Sequence, residues 1–358
     1  MIKLCKCHLL YFYSIKNYGT IKSTIQPDIR LMIYLEKNMS KIPVMIDADP
    51  GIDDAIAIIM LAAAENVDIK AITTTHGNVG LEGTTKNALA LKDFLGIDCI
   101  VAKGADRPMI VPLKNASEIH GANGLAGYEL PAPVSAPSEE KAWDVMYTLA
   151  REAQGEMTLV VLGPMTNTAI AILKYPDFKN YIKRIYMMGG SRGHGNHSQN
   201  AEFNIWGDPH ACQVVLKSGI PITMADLDFT FSNAITGAEM KELYGYGKKL
   251  KPMLDAFVAH DTKRCMRQAE ATGTVADFDS YKIVICDSSA SAALLLDGDC
   301  LETEDYYVVC ETQSSENEGQ TVFDYKGHLK GEANVQLCMK IDREKYLGLI
   351  RDAVAHFE

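Results

Sequence analysis

From residue 41 onward, the sequence alternates between short apolar runs and longer stretches in which apolar positions recur with helical spacing. Runs such as "TLVVL" and "RIYMM" are continuously apolar, which is typical of strands covered on both faces of a sheet. Strands separated by helices of about 10–15 residues indicate βαβ units. The pattern therefore predicts an α/β fold, with a mostly parallel open sheet flanked by helices.

The predicted elements follow one another closely along the chain. Strands are predicted at 41–47, 68–77, 98–105, 157–163, 184–190 and 220–226. Helices are predicted at 53–65, 84–96, 141–155, 167–175, 208–219 and 342–356. Two late apolar runs, "DYYVVCETQ" (305–313) and "QTVFDYKG" (320–327), are joined by the polar turn "SSENEG" and predict an antiparallel β-hairpin.

Residues 1–38 do not share this pattern. They hold six Lys or Arg and two Asp or Glu, a net charge of +4, so the rest of the chain carries −15 within the total of −11. We interpret 1–38 as an extension that is disordered, or that results from a start codon upstream of Met39. No linker or repeat divides the remainder, and residues 39–358 are predicted to form a single domain.

The composition narrows the class of protein. An acidic body argues against nucleic acid as a partner, because phosphate contacts need a basic face. Mean hydropathy is −0.05, and no apolar run reaches the roughly 18 residues that cross a bilayer, which argues against a membrane partner. Nine cysteines without a C-x-x-C pair argue against a zinc ribbon and indicate a reducing, cytoplasmic location.

The stretch "VMIDADPGIDDAIAIIMLAAA" places four aspartates within eight positions: Asp47, Asp49, Asp53 and Asp54. The first pair ends the first strand, where alternation points both side chains to one side. The second pair opens the first helix, where capping and the helix dipole account for one or two carboxylates. Four crowded carboxylates raise one another's pKa unless a cation holds them. Oxygen ligands select a hard cation, Ca²⁺ or Mg²⁺.

A polar loop, "GGSRGHGNHSQNAEFNIWGDP", follows the strand "RIYMM". It contains Asn196, Asn200 and Asn204, with Glu202 between the last two. Amides and a carboxylate form bidentate hydrogen bonds to vicinal hydroxyls, as in sugar recognition. Phosphate recognition would favour Lys or Arg, and this loop contains a single arginine. The loop therefore favours a sugar.

Other polar residues stand near predicted strand ends. His76 and Asn78 lie in "THGN", His120 precedes the glycines of "EIHGANGLAG", and "KIVICD" ends in Cys286 and Asp287. Ligands of open α/β sheets bind at the carboxyl ends of strands, so these residues are expected to converge on the aspartates. Asp287 alone would be interpreted as a helix cap, but beside the aspartates it becomes a candidate metal ligand.

These motifs resemble the inosine–uridine preferring nucleoside hydrolases. The matching segments are "DADPGIDDA", "HGANGL", "LGPMTNTA", "MMGGSRGHGNHSQNAEFNIWGDP" and the Asp of "ICDSSA". The resemblance covers residues 42–350 and implies calcium-dependent hydrolysis of the N-glycosidic bond of ribonucleosides to ribose and free base. It also implies a homodimer or homotetramer.

The resemblance implies a role for each matching residue. Asp49 is implied as a Ca²⁺ ligand and as the general base for the calcium-bound water, and Asp47 as a support behind the metal cluster. The other implied ligands are Asp54, the Leu162 carbonyl and Asp287. The implied ribose contacts are Asp53, Asn78, Met188, Asn196, Glu202 and Asn204, of which Asn196 also counts as catalytic.

The leaving-group side departs from the family pattern. Cys286 stands where many members have the His that protonates the departing base, and Phe231 stands where another His is frequent. Cysteine is a poor general acid, and Cys286 serves either as a pocket wall or as a replacement catalytic group. His120, His194, His197 or another loop residue could supply the acid, and His120 is the candidate we name with Cys286. Alternatively, the base leaves without an acid, by being stacked and solvated.

Two other classes of function remain open from the residues alone. A phosphatase-type hydrolase would use the Asp47/Asp49 pair, although Gly51 and the absence of a matching lysine argue against it. A relative that only binds nucleoside or calcium would have lost turnover, although Asp49, Asp54 and Asp287 are all present.

Overall fold

The computed structural model describes residues 41–298 and 300–357. The extension at 1–38 and the predicted start of the domain at Met39 lie outside the described residues. The described chain belongs to one compact unit that begins at Lys41. None of the described helices is long and apolar enough to cross a membrane.

An eight-stranded sheet forms the centre of the fold, in the order β3-β2-β1-β4-β5-β6-β12-β9. Its strands are β1 (Ile42–Ala48), β2 (Val67–Thr74), β3 (Ile100–Lys103), β4 (Met157–Val161), β5 (Ile182–Met188), β6 (Ile222–Ala225), β9 (Leu301–Tyr306) and β12 (Val335–Ile341). Neighbouring strands are parallel except β9, which pairs antiparallel with β12 at the edge. The predicted α/β fold with a mostly parallel sheet is confirmed.

Helices cover both faces of this sheet, each with its own buried apolar cluster. The helices are α1 (Ile52–Ala63), α2 (Leu81–Leu95), α3 (Ser117–His120), α4 (Ala142–Glu152), α5 (Thr166–Lys174), α6 (Phe203–Gly207), α7 (Pro209–Leu216), α8 (Leu227–Ser232), α9 (Gly237–Gly245), α10 (Lys251–Thr272), α11 (Cys286–Leu295) and α12 (Arg343–His356). Two short antiparallel pairs stand outside the sheet: β7 (Ile235–Thr236) with β8 (Lys282–Ile283), and β10 (Val308–Cys310) with β11 (Thr321–Phe323).

The structure corrects the late part of the predicted element order. The β10–β11 pair confirms the late hairpin, but the run 305–313 is divided between β9 and β10. Strand β12 was not predicted, although it lies inside the main sheet beside β6. Its pairing with β6 is non-local, because more than a hundred residues separate the two strands along the chain.

The turn between β1 and α1 places the aspartates at the carboxyl edge of the sheet. β1 lies between β2 and β4, so its end is buried on both sides. The Gly51 N–H donates to Asp54 Oδ2 over 2.8 Å, which closes the first turn of α1. Helix α1 is apolar on nearly every side because it packs against α11 and α12 as well as the sheet. This burial fixes the direction in which the acidic first turn points.

Candidate active site

A cavity of about 390 Å³ opens at the carboxyl ends of the central strands. Most of the residues predicted for the site line it: Asp49, Asp53, Asn78, His120, Leu162, Met188, Asn196, Glu202, Asn204, Cys286 and Asp287. The structure therefore brings together residues from the first strand, the polar loop and the start of α11. Asp54 lies behind this lining and is fully buried.

Three carboxylates form the tightest acidic group among the described residues. One oxygen each from Asp53, Asp54 and Asp287 lies within 4.8 Å of the others. Burial and the neighbouring Asp53 charge raise the pKa of Asp54 to about 7. Burial, with the charge of Asp53 next in size, also raises the pKa of Asp287 well above its ordinary value. Such crowding is unfavourable unless a proton or a cation neutralises it.

Two oxygens in this group have no hydrogen-bond partner among the described residues. They are Asp53 Oδ1 and Asp54 Oδ1, and both are buried. By contrast, Asp54 Oδ2 accepts hydrogen bonds from Gly51 N and from Asn78 Nδ2 at 3.2 Å. Buried carboxylate oxygens without donors are what a hard cation binds, since Ca²⁺ takes oxygen ligands almost exclusively. The donor set therefore fits a divalent cation.

Asp49 lies next to this group in a close-fitting cradle. Its Oδ2 accepts the backbone N–H of Asn78 over 2.7 Å, and its carbonyl accepts Asn78 Nδ2 over 3.0 Å. A Cβ on Gly77, whose φ is +150°, or on Gly163 would overlap the Asp49 carboxylate. Burial, and then the charge of Asp54, raise the pKa of Asp49 well above its usual range.

The Gly163 contact gives a first prediction. Replacing Gly163 with Ala should lower the rate of catalysis roughly 100-fold, because a displacement of about 1 Å costs that much. The added methyl would lie 3.0 Å from Asp49 Cγ and push the carboxylate away. Activity and a thermal melt would be measured together. Gly245→Ala is the control, because its Cβ would meet nothing within 4 Å; equal activities of the two variants would contradict the prediction.

The predicted ligand set and the acidic group overlap without coinciding. Asp54 and Asp287 belong to both, whereas the acidic group contains Asp53 rather than Asp49. The Leu162 carbonyl, a predicted ligand, accepts the Asn204 side-chain amide over 2.7 Å. The assignment of individual ligands stays a prediction.

Asp47 is the aspartate that does not join the cavity. Its Oδ1 accepts from Thr73 Oγ1 and Asn167 Nδ2, and its Oδ2 accepts from Thr168 Oγ1, all within 2.9 Å. The expectation that Asp47 and Asp49 share a side is wrong, because β1 ends at Ala48 and strand alternation stops there. Asp47 therefore ties β1 to β2 and α5, and an Asp47/Asp49 phosphatase pair is not formed.

The polar loop presents its carboxylate and amides to the cavity. Glu202 caps α6: it accepts the N–H groups of Asn204, Ile205 and Gly190 at 2.9–3.2 Å. Burial raises the pKa of Glu202 to about 7. Asn196 Oδ1 accepts the Phe203 N–H over 2.9 Å, which leaves its amide nitrogen for a ligand.

The residues predicted to protonate the departing base are poor proton donors at neutral pH. Ile52 N–H donates to His120 Nδ1 over 3.3 Å, so the proton of neutral His120 belongs on Nε2. Burial lowers the pKa of His120 and raises that of the Cys286 thiol. His197 lines the cavity and packs against Trp206 in a tilted arrangement with ring centroids 3.9 Å apart. Asp287, in the first turn of α11, does not cap that helix, whose N-cap residue makes no side-chain hydrogen bond.

The residues on the side of the cavity formed by α9 and α10 were not predicted from the sequence. Tyr244, Asp261 and Arg264 line it together with Cys286. A signal was present, because Asp261 falls on the buried stripe of α10 with Phe257. A carboxylate on an apolar stripe is uncommon unless it is paired or functional. Here it is paired with Arg264.

The comparisons with known proteins agree with this geometry. The family model described as inosine-uridine preferring nucleoside hydrolase matches residues 44–348. The pyrimidine-specific ribonucleoside hydrolase RihA of Klebsiella pneumoniae subsp. pneumoniae is 36% identical over 322 residues, covering 88% of this chain and 99% of the relative. The non-specific ribonucleoside hydrolase RihC of Escherichia coli is 34% identical over 318 residues, with the same coverage.

A solved structure of a nucleoside hydrolase has a similar fold. A plant nucleoside hydrolase superposes with a TM-score of 0.77 at 29% identity, covering 87% of this chain and 98% of that one. The family model and these relatives span nearly the whole described domain and confirm the resemblance stated from the motifs. The chain belongs to the inosine-uridine preferring nucleoside hydrolase family.

Proposed function

We propose that this protein hydrolyses the N-glycosidic bond of ribonucleosides in a calcium-dependent reaction, with Asp49 as the general base. Family membership makes the chain an N-glycosyl hydrolase. The observation that carries the calcium proposal is a pair of buried oxygens beside Asp287, Asp53 Oδ1 and Asp54 Oδ1, that accept no hydrogen bond from the described residues. Carboxylates and a backbone carbonyl suit Ca²⁺, which accepts many oxygen ligands in flexible geometry.

Asp49, Asp54, Asp287 and the Leu162 carbonyl would hold the cation. When bound, it would lower the pKa of a water molecule and orient the ribose hydroxyls. Asp49 would take the proton of the attacking water, since it lines the cavity and its position is fixed by Asn78. With the cation bound, the Asp49 carboxylate would be ionised and able to accept that proton.

The other polar residues would bind the ribose and stabilise its charge. Glu202, Asn196 and Asn204 face the cavity from the polar loop, and Asp53 faces it from α1. Cleavage at the anomeric carbon passes through an oxocarbenium-like transition state. Carboxylates fixed around the ring favour that positive charge without reorganising. The sugar side therefore supplies both recognition and electrostatic stabilisation.

Reducing-sugar release from uridine, cytidine, inosine, adenosine and guanosine tests the proposed function. Release of ribose with the free base in equal amounts is the expected result. The relatives named above differ in base range, one being pyrimidine-specific and one non-specific, so the ranking of the five bases has to be measured. Binding of nucleosides without ribose release would instead support a non-catalytic relative.

The sugar itself gives a second prediction. Uridine should be cleaved with a kcat/KM at least roughly 100-fold higher than 2′-deoxyuridine, because a site built for a hydroxyl leaves polar groups unpaired when it is missing. The two substrates share the same base, so any difference reports the 2′-hydroxyl. Comparable kcat/KM values for the two would contradict the proposed ribose site.

We also propose a homodimer or homotetramer in a reducing, cytoplasmic compartment. The described cysteines are unpaired: Cys99, Cys212, Cys265, Cys286, Cys300, Cys310 and Cys338. Unpaired thiols in a large domain suit a reducing compartment. Size-exclusion chromatography with light scattering would give the oligomeric state.

A further inference from the structure

The wall of the cavity formed by α10 carries a guanidinium. Arg264 lines the cavity from α10 and is one turn away from Asp261. Its Nη1 donates to Asp261 Oδ1 over 3.1 Å. Asp261 is 4% exposed, so this carboxylate holds the guanidinium from inside the protein. A single hydrogen bond uses one of five N–H donors, which leaves Arg264 able to donate to a ligand.

A second polar group points to a ligand at the same wall. The Tyr244 hydroxyl is buried and has no hydrogen-bond partner among the described residues. Tyr244 lines the same cavity from α9 and is only 3% exposed. Buried hydroxyls nearly always find a partner in native proteins. A bound molecule with a polar edge would supply it.

The chemistry of the leaving group requires positive charge or a proton on this side. When the N-glycosidic bond breaks, its electron pair goes to the ring nitrogen of the base. The Cys286 side chain carries no positive charge, and cysteine is a poor general acid. Neutral His120 has its one N–H on Nε2, because its Nδ1 accepts the Ile52 N–H. The other cationic side chain of Lys or Arg that lines the cavity, Lys282, is exposed. Arg264 is the cation that a buried carboxylate holds in place.

We propose that Arg264 is a catalytic residue that binds the departing nucleobase as an anion, in place of a general acid. The guanidinium donates to the acceptor atom beside the departing nitrogen, such as the 2-oxo group of a pyrimidine, and Tyr244 donates to the same edge. Asp261 is the positioning residue. This inference rests on the proposed function, since it concerns the leaving group of that reaction.

The step balances without a further reagent. The bond between the anomeric carbon and the ring nitrogen breaks, and its electrons stay on the base. Water oxygen bonds to the anomeric carbon, and one water proton goes to Asp49. The base anion, held by Arg264, takes a proton from solvent after departure, and Asp49 returns its proton to solvent. The products are ribose and neutral base.

Arg264→Gln tests the proposal with three substrates of one sugar. We would compare uridine, 5-fluorouridine and 4-nitrophenyl β-D-riboside, whose leaving groups are increasingly stable as anions. The variant should lose roughly 100-fold in kcat on uridine, as for loss of a charge-stabilising donor. The loss should be smaller on 5-fluorouridine and under about 3-fold on 4-nitrophenyl riboside, which needs little stabilisation.

Two further variants distinguish the loss of the Arg264 charge from a general disturbance of the structure. Arg264→Lys should recover part of the lost uridine activity, because the charge returns without the planar fork. Arg267→Gln removes an exposed arginine one turn further along α10 and outside the cavity, and it should match the wild type. Retained 4-nitrophenyl riboside activity shows that the Arg264→Gln protein is folded.

The outcomes distinguish this inference from the function on which it rests. An equal loss on all three substrates, or no loss on uridine, would overturn the role of Arg264 while the hydrolase activity stands. Wild-type protein that releases ribose neither from these three substrates nor from cytidine, inosine, adenosine and guanosine would overturn both. A loss that grows as the leaving group becomes a poorer anion supports the proposal.

Discussion

Replacing Asp49 with Asn should lower kcat for ribose release by at least roughly 1,000-fold, within the range attributed to a positioned general base. The Asn side chain keeps the size of Asp49 and can still accept the Asn78 N–H, which now bonds to Oδ2 over 2.7 Å. It cannot take a proton from water. Steady-state kinetics with uridine would measure the loss.

The same substitution should not weaken the fold. Burial, with the charge of Asp54 next, raises the pKa of Asp49 in the folded protein. A folded pKa above the unfolded value means that ionised Asp49 destabilises the folded state as the pH rises above the unfolded pKa. Metal-free Asp49→Asn protein should therefore melt at or above the wild-type temperature at neutral pH.

Asp98→Asn is the matched control for this experiment. Asp98 is exposed after α2 and does not line the cavity. Its variant should keep the wild-type activity. If Asp49→Asn retained a tenth or more of the wild-type kcat, Asp49 would not be the base.

Calcium should stabilise the metal-stripped protein strongly. A ligand at about 100 times its Kd adds about 2.7 kcal/mol to the free energy of unfolding. For a domain of this size that corresponds to a rise in Tm of roughly 4 °C. The reason lies in Asp53, Asp54 and Asp287, whose mutual repulsion a cation would convert into attraction. Thermal melts with calcium, with magnesium and with a chelator would measure it.

Asp287→Asn should remove most of this calcium-dependent rise in Tm. The variant loses one of the three clustered carboxylates but keeps its volume in the first turn of α11. Asp98→Asn should show the full wild-type rise. A calcium-independent Tm in the wild-type protein, or an undiminished rise in Asp287→Asn, would contradict a metal site at this cluster.

The parallel sheet could be predicted because most of its strands can be recognised from the local sequence pattern. β4 and β5 are short, apolar and separated by a helix of ordinary length, so the βαβ pattern is visible along the chain. β12 was missed because its place beside β6 depends on a pairing between distant segments. The hydrophobic pattern of a segment indicates its burial and its helix or strand periodicity. It does not indicate which distant strands pair.

The acidic half of the site could be predicted for a similar reason. Asp49, Asp53 and Asp54 are close in sequence at the end of β1, so their proximity in space needs no tertiary knowledge. The direction of Asp49 relative to Asp47 could not be predicted, because β1 ends at Ala48, between the two residues. One residue beyond a strand, the alternation that orients side chains no longer applies.

The leaving-group half depends on how distant helices fold over the cavity. Tyr244 and Arg264 lie more than 150 residues after Asp49, on helices whose pattern indicates only burial against the core. Their approach to the cavity is a property of the packing of α9 and α10. A buried Asp261 on an apolar stripe was the single local indication of function there.

The most direct test of a calcium-dependent nucleoside hydrolase is ribose release from uridine by metal-stripped protein to which calcium is added back. Activity should be near background without metal. Activity should then rise with calcium and saturate together with calcium binding measured by calorimetry. Full activity in the stripped protein, or calcium binding that leaves ribose release unchanged, would contradict it.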